Sequence, residues 1–522
     1  MNSKEKKQKG AIFIYLLIFV AIFAMIMPAV VSNFVAKLLL LKLTIMREQA
    51  FQIAEAGIDY YQWHLIKFPD DYQDGTGQSG PYAHDYVDYD TQQTIGQFSL
   101  TITPPPYGGG AATIQSTGWT NDNPNIKRIV TATYGFPSLA SYALLAHDWI
   151  YAWSTEAYSG PVHSDTGIRF EATTTSSVTS SVQTTYTTDC NQEYPERSCP
   201  TTSTKNAVWA TGSNGSESSP YWSNPTTVAD FAGVNTAFSD IQSNSQINLP
   251  LSNKLGYSLV FNGNGTVTVY KVLRTMNTGS RFPVIKALSG GTDTGLGYII
   301  GGTDYASGIC SNSSCNGCGS SGRCLQYTTA VPSEGLRIYV KENLWIDGTV
   351  KGRVIVAAAD SSALNTNPNA NGTASNLMPN IYISNNIRYS NGENGASGQA
   401  ADTLGLMAQG NIIVTKNAPN TLYVDGALLA QHGFVAAPIC YSGGSSHGGS
   451  VAPPTSAVYF YGSVILYGSW WFNFTNYCGS SFTDGYYNPF FKWDTNLLYY
   501  PPPFFPASSV SAGIQLEKWT SN

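Results

Sequence analysis

The sequence predicts a long N-terminal transmembrane α-helix followed by a mostly β body, with a β-solenoid (a parallel β-helix) in the C-terminal half. Three observations predict this fold class. Residues 11–36 contain no charged side chain. Beyond them, apolar residues recur at helical spacing as far as Phe68. From about residue 336, short runs rich in β-branched residues alternate with Gly, Asn and Asp.

The composition excludes several classes of protein. A chain of 522 residues suits two to four folded units, and 42% hydrophobic with 13% aromatic residues argues against a disordered chain. Residues 1–47 hold seven basic residues and one acidic residue, which leaves 20 basic and 32 acidic residues for the rest. Because the large body is acidic, we predict no nucleic-acid partner. Low charge with abundant Gly and Tyr is typical of an extracellular β-rich protein.

Residues 11–36 predict a membrane-spanning helix. At 1.5 Å per residue they extend about 39 Å, more than the ~30 Å hydrocarbon core of a bilayer. Four lysines precede the span, so we predict a cytoplasmic N-terminus, an extracytoplasmic body and contact with membrane lipid. The alternative is a cleaved secretory signal peptide. Its apolar region would be roughly 7–15 residues long and would end at a small-residue cleavage site, which this run lacks.

The same helix is predicted to continue outside the membrane over residues 37–68. Its apolar residues are spaced three or four apart, which places them on one helical face. This predicted packing face consists of Phe51, Ala54, Ile58, Tyr61, Leu65 and Phe68. The face requires a partner surface. Pro69 is predicted to end the helix, and Pro28, which lacks an amide proton, is predicted to kink it.

The N-terminal residues resemble a known family. A lysine-rich leader ends in Gly10, an apolar helix follows, and residues 47–58 read REQAFQIAEAGI. This pattern, about 60 residues long, resembles the N-terminus of PilX-type minor pilins and related type IV pilin-like proteins. The resemblance implies prepilin-peptidase cleavage between Gly10 and Ala11 and packing of the helix among other pilin-like subunits. One departure is Tyr15, where pilins usually carry Glu, although some minor tip-located pilins lack that Glu too.

The remaining chain divides by composition. Residues 1–10 form the cytoplasmic leader, 69–138 a small β module, 139–335 a Ser/Thr/Asn-rich β region with Cys loops, and 336–522 the solenoid-like region. The resemblance to pilins also implies a β module on the helix. Residues 160–170 and 491–506 resemble the extracellular regions of the same pilin-like group.

A faint internal repeat supports stacked rungs in the body. The residues Ala143–Ala146 recur as Ala427–Ala430, and Gly405–Ala408 is similar. Stacked rungs bury small and β-branched residues, so repeats of this kind favour a solenoid. A sandwich or barrel is the alternative. A hairpin is predicted at Asn262–Gly265.

Eight cysteines follow the predicted span, and an oxidising compartment favours disulfides between them. These disulfide candidates are Cys190, Cys199, Cys310, Cys315, Cys318, Cys324, Cys440 and Cys478. Proximity predicts Cys190–Cys199 and Cys440–Cys478, with two bridges among the four cysteines of 310–324 in any of three connectivities. A four-thiolate metal site in 310–324 is the alternative; we predict no metal and no cofactor.

Four patterns suggest chemistry but have simpler structural interpretations. Ser446 stands in a G-x-S-x-G sequence without the required helix after it, and residues 317–322 match G-x-G-x-x-G without a strand before them. His163-Ser164-Asp165 places triad residue types side by side, although a triad is assembled in space, so a structural turn is favoured. An acidic loop within residues 70–90 suggests Ca²⁺, but no known calcium-loop pattern is present.

Ten aromatic residues cluster near the C-terminus. We interpret the cluster as a hydrophobic cap on the last rung, with an exposed binding platform as the alternative. The ten are Trp470, Trp471, Phe472, Phe474, Tyr477, Tyr486, Tyr487, Phe490, Phe491 and Trp493.

The sequence therefore predicts a membrane-anchored, non-enzymatic surface protein. It would be a minor or tip component of a type IV pilus-type assembly, with an exposed β domain for adhesion to a surface glycan or protein. The alternatives are a plain single-pass anchored surface protein and an anchored β-helix enzyme acting on polysaccharide. Such an enzyme would need paired carboxylates in a cleft.

Overall fold

The computed structural model describes residues 5–68, 71–104, 111–135, 138–188, 202–210, 222–229, 231, 233–275, 309–318, 321–360, 378–393, 402–415, 418–437, 457–468, 470–475, 483–486, 488–506 and 515–521. Two compact units are present. The first, the helix–sheet unit, consists of Met1–Pro104, Ala112–Tyr134 and Leu516–Asn522. The second, the β unit, consists of Pro105–Ala111 and Gly135–Gln515.

Three α-helices and 34 strands are described. The helices are α1 (Glu5–Lys67), α2 (Gly233–Ser243) and α3 (Asn496–Tyr499). The strands are β1 (Tyr82–Val87), β2 (Thr94–Thr103), β3 (Ala111–Thr120), β4 (Asn123–Gly135), β5 (Leu144–Ala146), β6 (Ile150–Ala152), β7 (Ala157–Ser159), β8 (Val162–Ser164), β9 (Ile168–Phe170), β10 (Thr173–Thr174), β11 (Val178–Ser180), β12 (Thr184–Thr188), β13 (Thr202–Asn206), β14 (Val208–Trp209), β15 (Trp222–Ser223), β16 (Ile247–Leu249), β17 (Gly256–Asn262), β18 (Thr266–Val272), β19 (Ile309–Cys310), β20 (Arg323–Ala330), β21 (Leu336–Val340), β22 (Leu344–Val350), β23 (Arg353–Ala358), β24 (Ile381–Tyr389), β25 (Thr403–Ala408), β26 (Ile412–Val414), β27 (Thr421–Ala430), β28 (Val435–Ala436), β29 (Ala457–Leu466), β30 (Trp470–Trp471), β31 (Asn473–Thr475), β32 (Thr483–Gly485), β33 (Asn488–Trp493) and β34 (Gln515–Ser521).

The helix–sheet unit combines α1 with a five-stranded sheet in the order β1-β2-β3-β4-β34. Strands β1, β2 and β3 pair antiparallel. The position of β34 corrects the sequence prediction, which placed residues 515–521 in the solenoid-like region. The edge of β4 offers unpaired backbone groups, and the last strand of the chain satisfies them.

The β unit contains a mixed sheet of 22 strands that does not close on itself, together with three small sheets of two or three strands among the described residues. One series of parallel pairs runs β16-β21-β23-β25-β27-β29-β5-β8-β11-β15. A second series runs β17-β22-β24-β27-β29-β33-β7-β10. Strand β18 pairs antiparallel with β17 and β20, which makes the sheet mixed and confirms the predicted hairpin at Asn262–Gly265.

The internal repeat has a structural counterpart in these parallel pairs. Gly405–Ala408 lies beside Ala427–Ala430, residue for residue. Ala427–Ala430 lies in turn beside Ser463–Leu466, and Val464 to Leu466 pair with Leu144 to Ala146. Residues at the same position of successive strands experience the same environment, so similar residues recur there. The order of strands in space is not their order in the chain, because β5 follows β29.

Both faces are buried in the middle of the first parallel series, along β23 and β25. Alternate residues such as Val354, Leu406 and Leu428 belong to the main interior cluster. Their neighbours, such as Ile355 and Met407, lie in a second cluster that is covered by α2 and by residues near α3. Near-continuous apolar strands are the signature of sheets covered on both faces.

The C-terminal aromatic residues whose side chains the structure describes lie within the β unit, and several of them are buried. Phe491 is 2% exposed, and its ring stacks on that of Tyr158 with the centroids 4.5 Å apart. The Trp470 ring also contacts Phe491, with the two centroids 4.4 Å apart. Strand β33, which carries Phe491, lies between β29 and β7. The cap prediction is therefore wrong, because residues 144–180 continue the series beyond β33. Tyr477 and Tyr487 lie outside the described residues.

Two disulfides join the four cysteines of residues 310–324. Cys310 is bonded to Cys318 and Cys315 to Cys324, which is one of the three connectivities that the sequence left open. These four thiols are therefore not available as thiolate ligands of a metal. Cys190, Cys199, Cys440, Cys478 and Ser446 lie outside the described residues.

Candidate membrane and assembly helix

Helix α1 is continuous from Glu5 to Lys67 and has Pro28 inside it. The backbone of Gly10 and Ala11, the predicted processing site, is helical. One helix within the described part of the chain is long and apolar enough to cross a membrane, and it is this one. Its apolar span is wholly exposed.

The first half of α1 exposes its large apolar side chains on every side. Ile12 is 69% exposed, Phe23 51% and Leu40 64%, and Tyr15 is 72% exposed. A monomeric soluble protein rarely leaves a contiguous apolar surface of this size uncovered. This half of the helix therefore needs an apolar environment, either lipid or other helices.

The second half of α1 is covered on one face by the chain's own sheet. The buried residues recur every three or four positions along that face, singly or as adjacent pairs: Ala50, Ile53, Ala54, Gly57, Ile58, Tyr61, His64 and Leu65. Gly118 of β3 approaches the backbone of Ala50 and Ala54, and Gly57 approaches Phe98 of β2. Glycine at both positions lets helix and sheet come together closely.

The predicted packing face is thus partly corrected. Ala54, Ile58, Tyr61 and Leu65 are buried within the unit itself and do not need a partner subunit. Phe68 is 48% exposed, because the helix ends at Lys67. Sequence reasoning that allowed one apolar residue per turn missed Ala50, Ile53 and Gly57. The wider stripe of a helix packed on a sheet, with small residues counted as apolar, would have found them.

An exposed aromatic patch remains on the last turns of α1. Trp63 is 54% exposed and Ile66 55%, and the Lys67 ammonium lies 5.2 Å from the Trp63 ring and 5.8 Å from the Phe68 ring. Trp63 and Ile66 lie on the side of the helix away from the sheet, whereas Phe68 follows the last helical residue and lies 5.3 Å from the His64 ring. They provide an apolar surface outside the predicted span.

The described part of the acidic loop after α1 forms hydrogen bonds with neighbouring protein groups. Asp71 contacts His64 Nε2 at 3.0 Å, and Asp74 contacts His84 Nε2 at 2.7 Å. Desolvation raises the pKa of Asp71, but the backbone N–H groups of Gln73 and Gly75 and the His64 ring hold it below its usual value overall. Among the described residues, no group of three or more His, Cys, Asp or Glu is arranged to hold a metal ion.

The Tyr60 hydroxyl donates to Asp74 Oδ1 at 3.1 Å in the same network. Desolvation, together with the charge of Asp74, raises the pKa of Tyr60 to about 12. The loop therefore ties the end of α1 to β1 through paired polar groups, which is a structural role.

The His163-Ser164-Asp165 sequence forms part of a buried hydrogen-bond cluster. Asp165 contacts His147 Nδ1 at 2.9 Å and His163 Nε2 at 3.2 Å, and it accepts from the backbone N–H of Ala229. Although desolvation raises it, these hydrogen bonds lower the pKa of Asp165 to about 2. Ser181 and Asp165 approach the same ring nitrogen of His163. A Ser-His-Asp triad needs the serine and the carboxylate on opposite ring nitrogens, which Ser181 and Asp165 are not. The hydroxyl on the opposite nitrogen, Nδ1, is that of Thr179 at 2.8 Å, and the His163 side chain between them is 1% exposed.

Comparison with known proteins gives a weak structural likeness. No protein family and no curated protein matches this chain. A solved structure, the competence-associated pilin ComZ from Thermus thermophilus, is 10% identical; the match covers 91% of this chain and 97% of that chain, with a TM-score of 0.26. A TM-score this low does not establish a shared fold.

Proposed function

We propose that this chain is a membrane-anchored pilin-like protein, a minor or tip component of a type IV pilus-type assembly. The observation that carries the proposal is the division of α1 into two functional halves. Its first half, to about Ile45, is apolar and exposed, and its second half, from Ala50, is covered by a small sheet of the same unit. Together with the pilin-like pattern of residues 47–58, this division supports a helix that leaves the membrane or joins a helical bundle while holding a folded unit at its end.

In the proposed mechanism, residues 11–36 span the cytoplasmic membrane with the lysine-rich leader inside. Cleavage between Gly10 and Ala11 releases the leader, and the exposed apolar surface then packs against other pilin-like helices. The patch formed by Trp63, Ile66 and Phe68 extends that packing surface beyond the membrane. In this proposal residues 1–10 are the leader, residues 11–36 the membrane span, and residues 37–68 the extension of the helix outside the membrane.

The proposed role of the β unit is display. The two series of parallel strand pairs support a parallel β-helix, in which each turn of chain stacks on the previous one. A rigid stacked body of this kind would present its surface for adhesion to a glycan or protein. Low overall charge suits such a surface, because it does not depend on ionic strength as a strongly charged surface would.

An anchored enzyme acting on polysaccharide has one observation in its favour, a pair of interacting carboxylates. Desolvation raises the pKa of Asp425 to about 6 and also raises that of Asp494. However, both residues are at most 2% exposed, and they accept from the Tyr389 backbone N–H and the Tyr461 hydroxyl. A glycosidase needs its carboxylates in an open cleft. The pilin-like assignment is therefore favoured.

Mechanical shearing of cells tests the proposed assembly. A filament component should leave the cells with the sheared filaments, whereas a plain anchored protein or enzyme stays in the membrane fraction after shearing. The matched control is a variant with Val20→Arg, which places a charge in the middle of the exposed span and should abolish both membrane insertion and filament entry. Wild-type protein found only in membranes would contradict the proposal.

A further inference from the structure

A groove of about 300 Å³ lies between α1 and the turn that joins β3 to β4. Its helix side is apolar, with Leu38, Leu41 and Ile45, and it also includes the cation Lys42. The turn supplies the carboxylate of Asp122 and the amide of Asn123. A small-ligand site typically combines a mostly apolar lining with a few convergent polar groups, in a volume of this order.

The groove lies where the exposed apolar span gives way to the covered half of α1. Lys42 follows Ala11 by 31 residues, which is about 47 Å of helix. The outer limits of the two headgroup layers are ~40–45 Å apart, so a modestly tilted helix places Lys42 at the outer headgroup layer. Lys37, Lys42 and Arg47 are five residues apart, so they lie about 140° apart around the helix axis. Cations on all sides suit a helix that is surrounded by lipid headgroups rather than packed on one side.

The two charges of the groove have no ion-pair partner within the described ranges of the chain. Lys42 and Asp122 are both surface groups, and neither is bonded to another described side chain. A cation and an anion beside an apolar floor are complementary to a molecule with a phosphate, an ammonium group and acyl chains.

We propose that this groove binds a phospholipid whose headgroup carries a primary ammonium, such as phosphatidylethanolamine. Lys42 would pair with the phosphate and Asp122 would accept from the ammonium. The acyl chains would extend from the groove past Leu41 and Leu38 toward the membrane-spanning residues 11–36. A trimethylammonium headgroup cannot donate a hydrogen bond to Asp122, and a glycerol headgroup has no cation, so both should bind more weakly. This inference rests on the proposed membrane insertion of α1.

The test uses the full chain in nanodiscs that contain equal amounts of phosphatidylethanolamine, phosphatidylcholine and phosphatidylglycerol. Native mass spectrometry then measures which lipids stay on the released protein. We expect phosphatidylethanolamine to be enriched about tenfold, the size of one charge-assisted contact. Asp122→Asn should remove the preference over phosphatidylglycerol, and Lys42→Gln should reduce retention of both lipids. The matched controls Lys37→Gln and Asp90→Asn change charges that do not line the groove and should leave the preference for phosphatidylethanolamine unchanged.

The outcomes separate this inference from the proposed function. Co-flotation of the protein with vesicles measures insertion independently of lipid identity. An inserted protein that retains the three lipids equally, or whose preference survives both groove substitutions, overturns the lipid site and leaves the anchor intact. A protein that does not float with vesicles overturns membrane insertion, and the lipid site with it.

Discussion

Replacing Gly118 with leucine is expected to separate β3 from α1 and to lower the free energy of unfolding of the helix–sheet unit by about 3 kcal/mol, the upper part of the usual range for overpacking. A Cβ at this position would collide with the carbonyl oxygen of Ala50 and the amide nitrogen of Ala54. Both are backbone atoms of the helix, so no side-chain rotation can relieve the collision. Helix and sheet would have to move apart along their whole contact.

Hydrogen exchange measured by mass spectrometry checks this prediction, because it reports on each peptide of the full chain separately. Peptides of β2 and β3 should lose protection, whereas peptides of the β unit should keep theirs. The control is Gln115→Leu, which adds the same bulk to the same strand at an exposed position. Unchanged protection of β2 and β3 in the Gly118 variant would show that the helix does not pack on this sheet.

Replacing Glu156 with glutamine is expected to stabilise the β unit at alkaline pH and to leave it unchanged near pH 4. Glu156 is 3% exposed, and desolvation raises its pKa from 4.5 to about 8. A carboxyl group with a raised folded-state pKa stabilises the fold fully only below its unfolded pKa. The wild type should therefore lose stability as the pH rises from about 4.5 to about 8, by on the order of 5 kcal/mol.

The amide of glutamine carries no charge, so the stability of the variant should not depend on pH in this way. The Tyr158 hydroxyl, which donates to Glu156 Oε2 at 2.6 Å, can still donate to the amide oxygen of glutamine. Denaturant unfolding monitored by tryptophan fluorescence at pH 5, 7 and 9 measures the difference. Glu393→Gln is the matched control, because its side chain is 41% exposed and paired with Lys492 at the surface. A wild type and a Glu156 variant with parallel pH profiles would contradict the buried-carboxyl account.

The sequence predicted the local elements because their signals are local. The uncharged run after residue 10 and the 3–4 spacing beyond it gave a single long helix, and α1 is continuous over both. The repeat at Gly405–Ala408 and Ala427–Ala430 identified two strands that lie side by side. Both signals arise because buried positions recur at a regular spacing within a segment, so the apolar residues of that segment alone reveal its secondary structure.

The pairing of strands that are far apart in the chain was not predictable, because the residues of one strand do not identify the distant strand with which it pairs. Strand β5 pairs with β29 across about 320 residues, and β34 joins the first sheet from the far end of the chain. Because β5 pairs with β29, the aromatic cluster lies inside the series of strands rather than at its end. The hydrogen bond from Ala229 to Asp165 emerged only from the structure for the same reason. The disulfide connectivity is local, but four cysteines within 15 residues allow three pairings, and the sequence does not choose among them.

The central claim is that α1 is the processed helix of a pilin-like protein, and mass spectrometry of the N-terminus tests it most directly. The protein would be isolated both from membranes and from the sheared filament fraction of the same cells. The account predicts a chain in the sheared fraction that begins at Ala11, produced by cleavage after Gly10. A chain that begins at Met1 and is found only in membranes would contradict it and would leave a single-pass anchored surface protein.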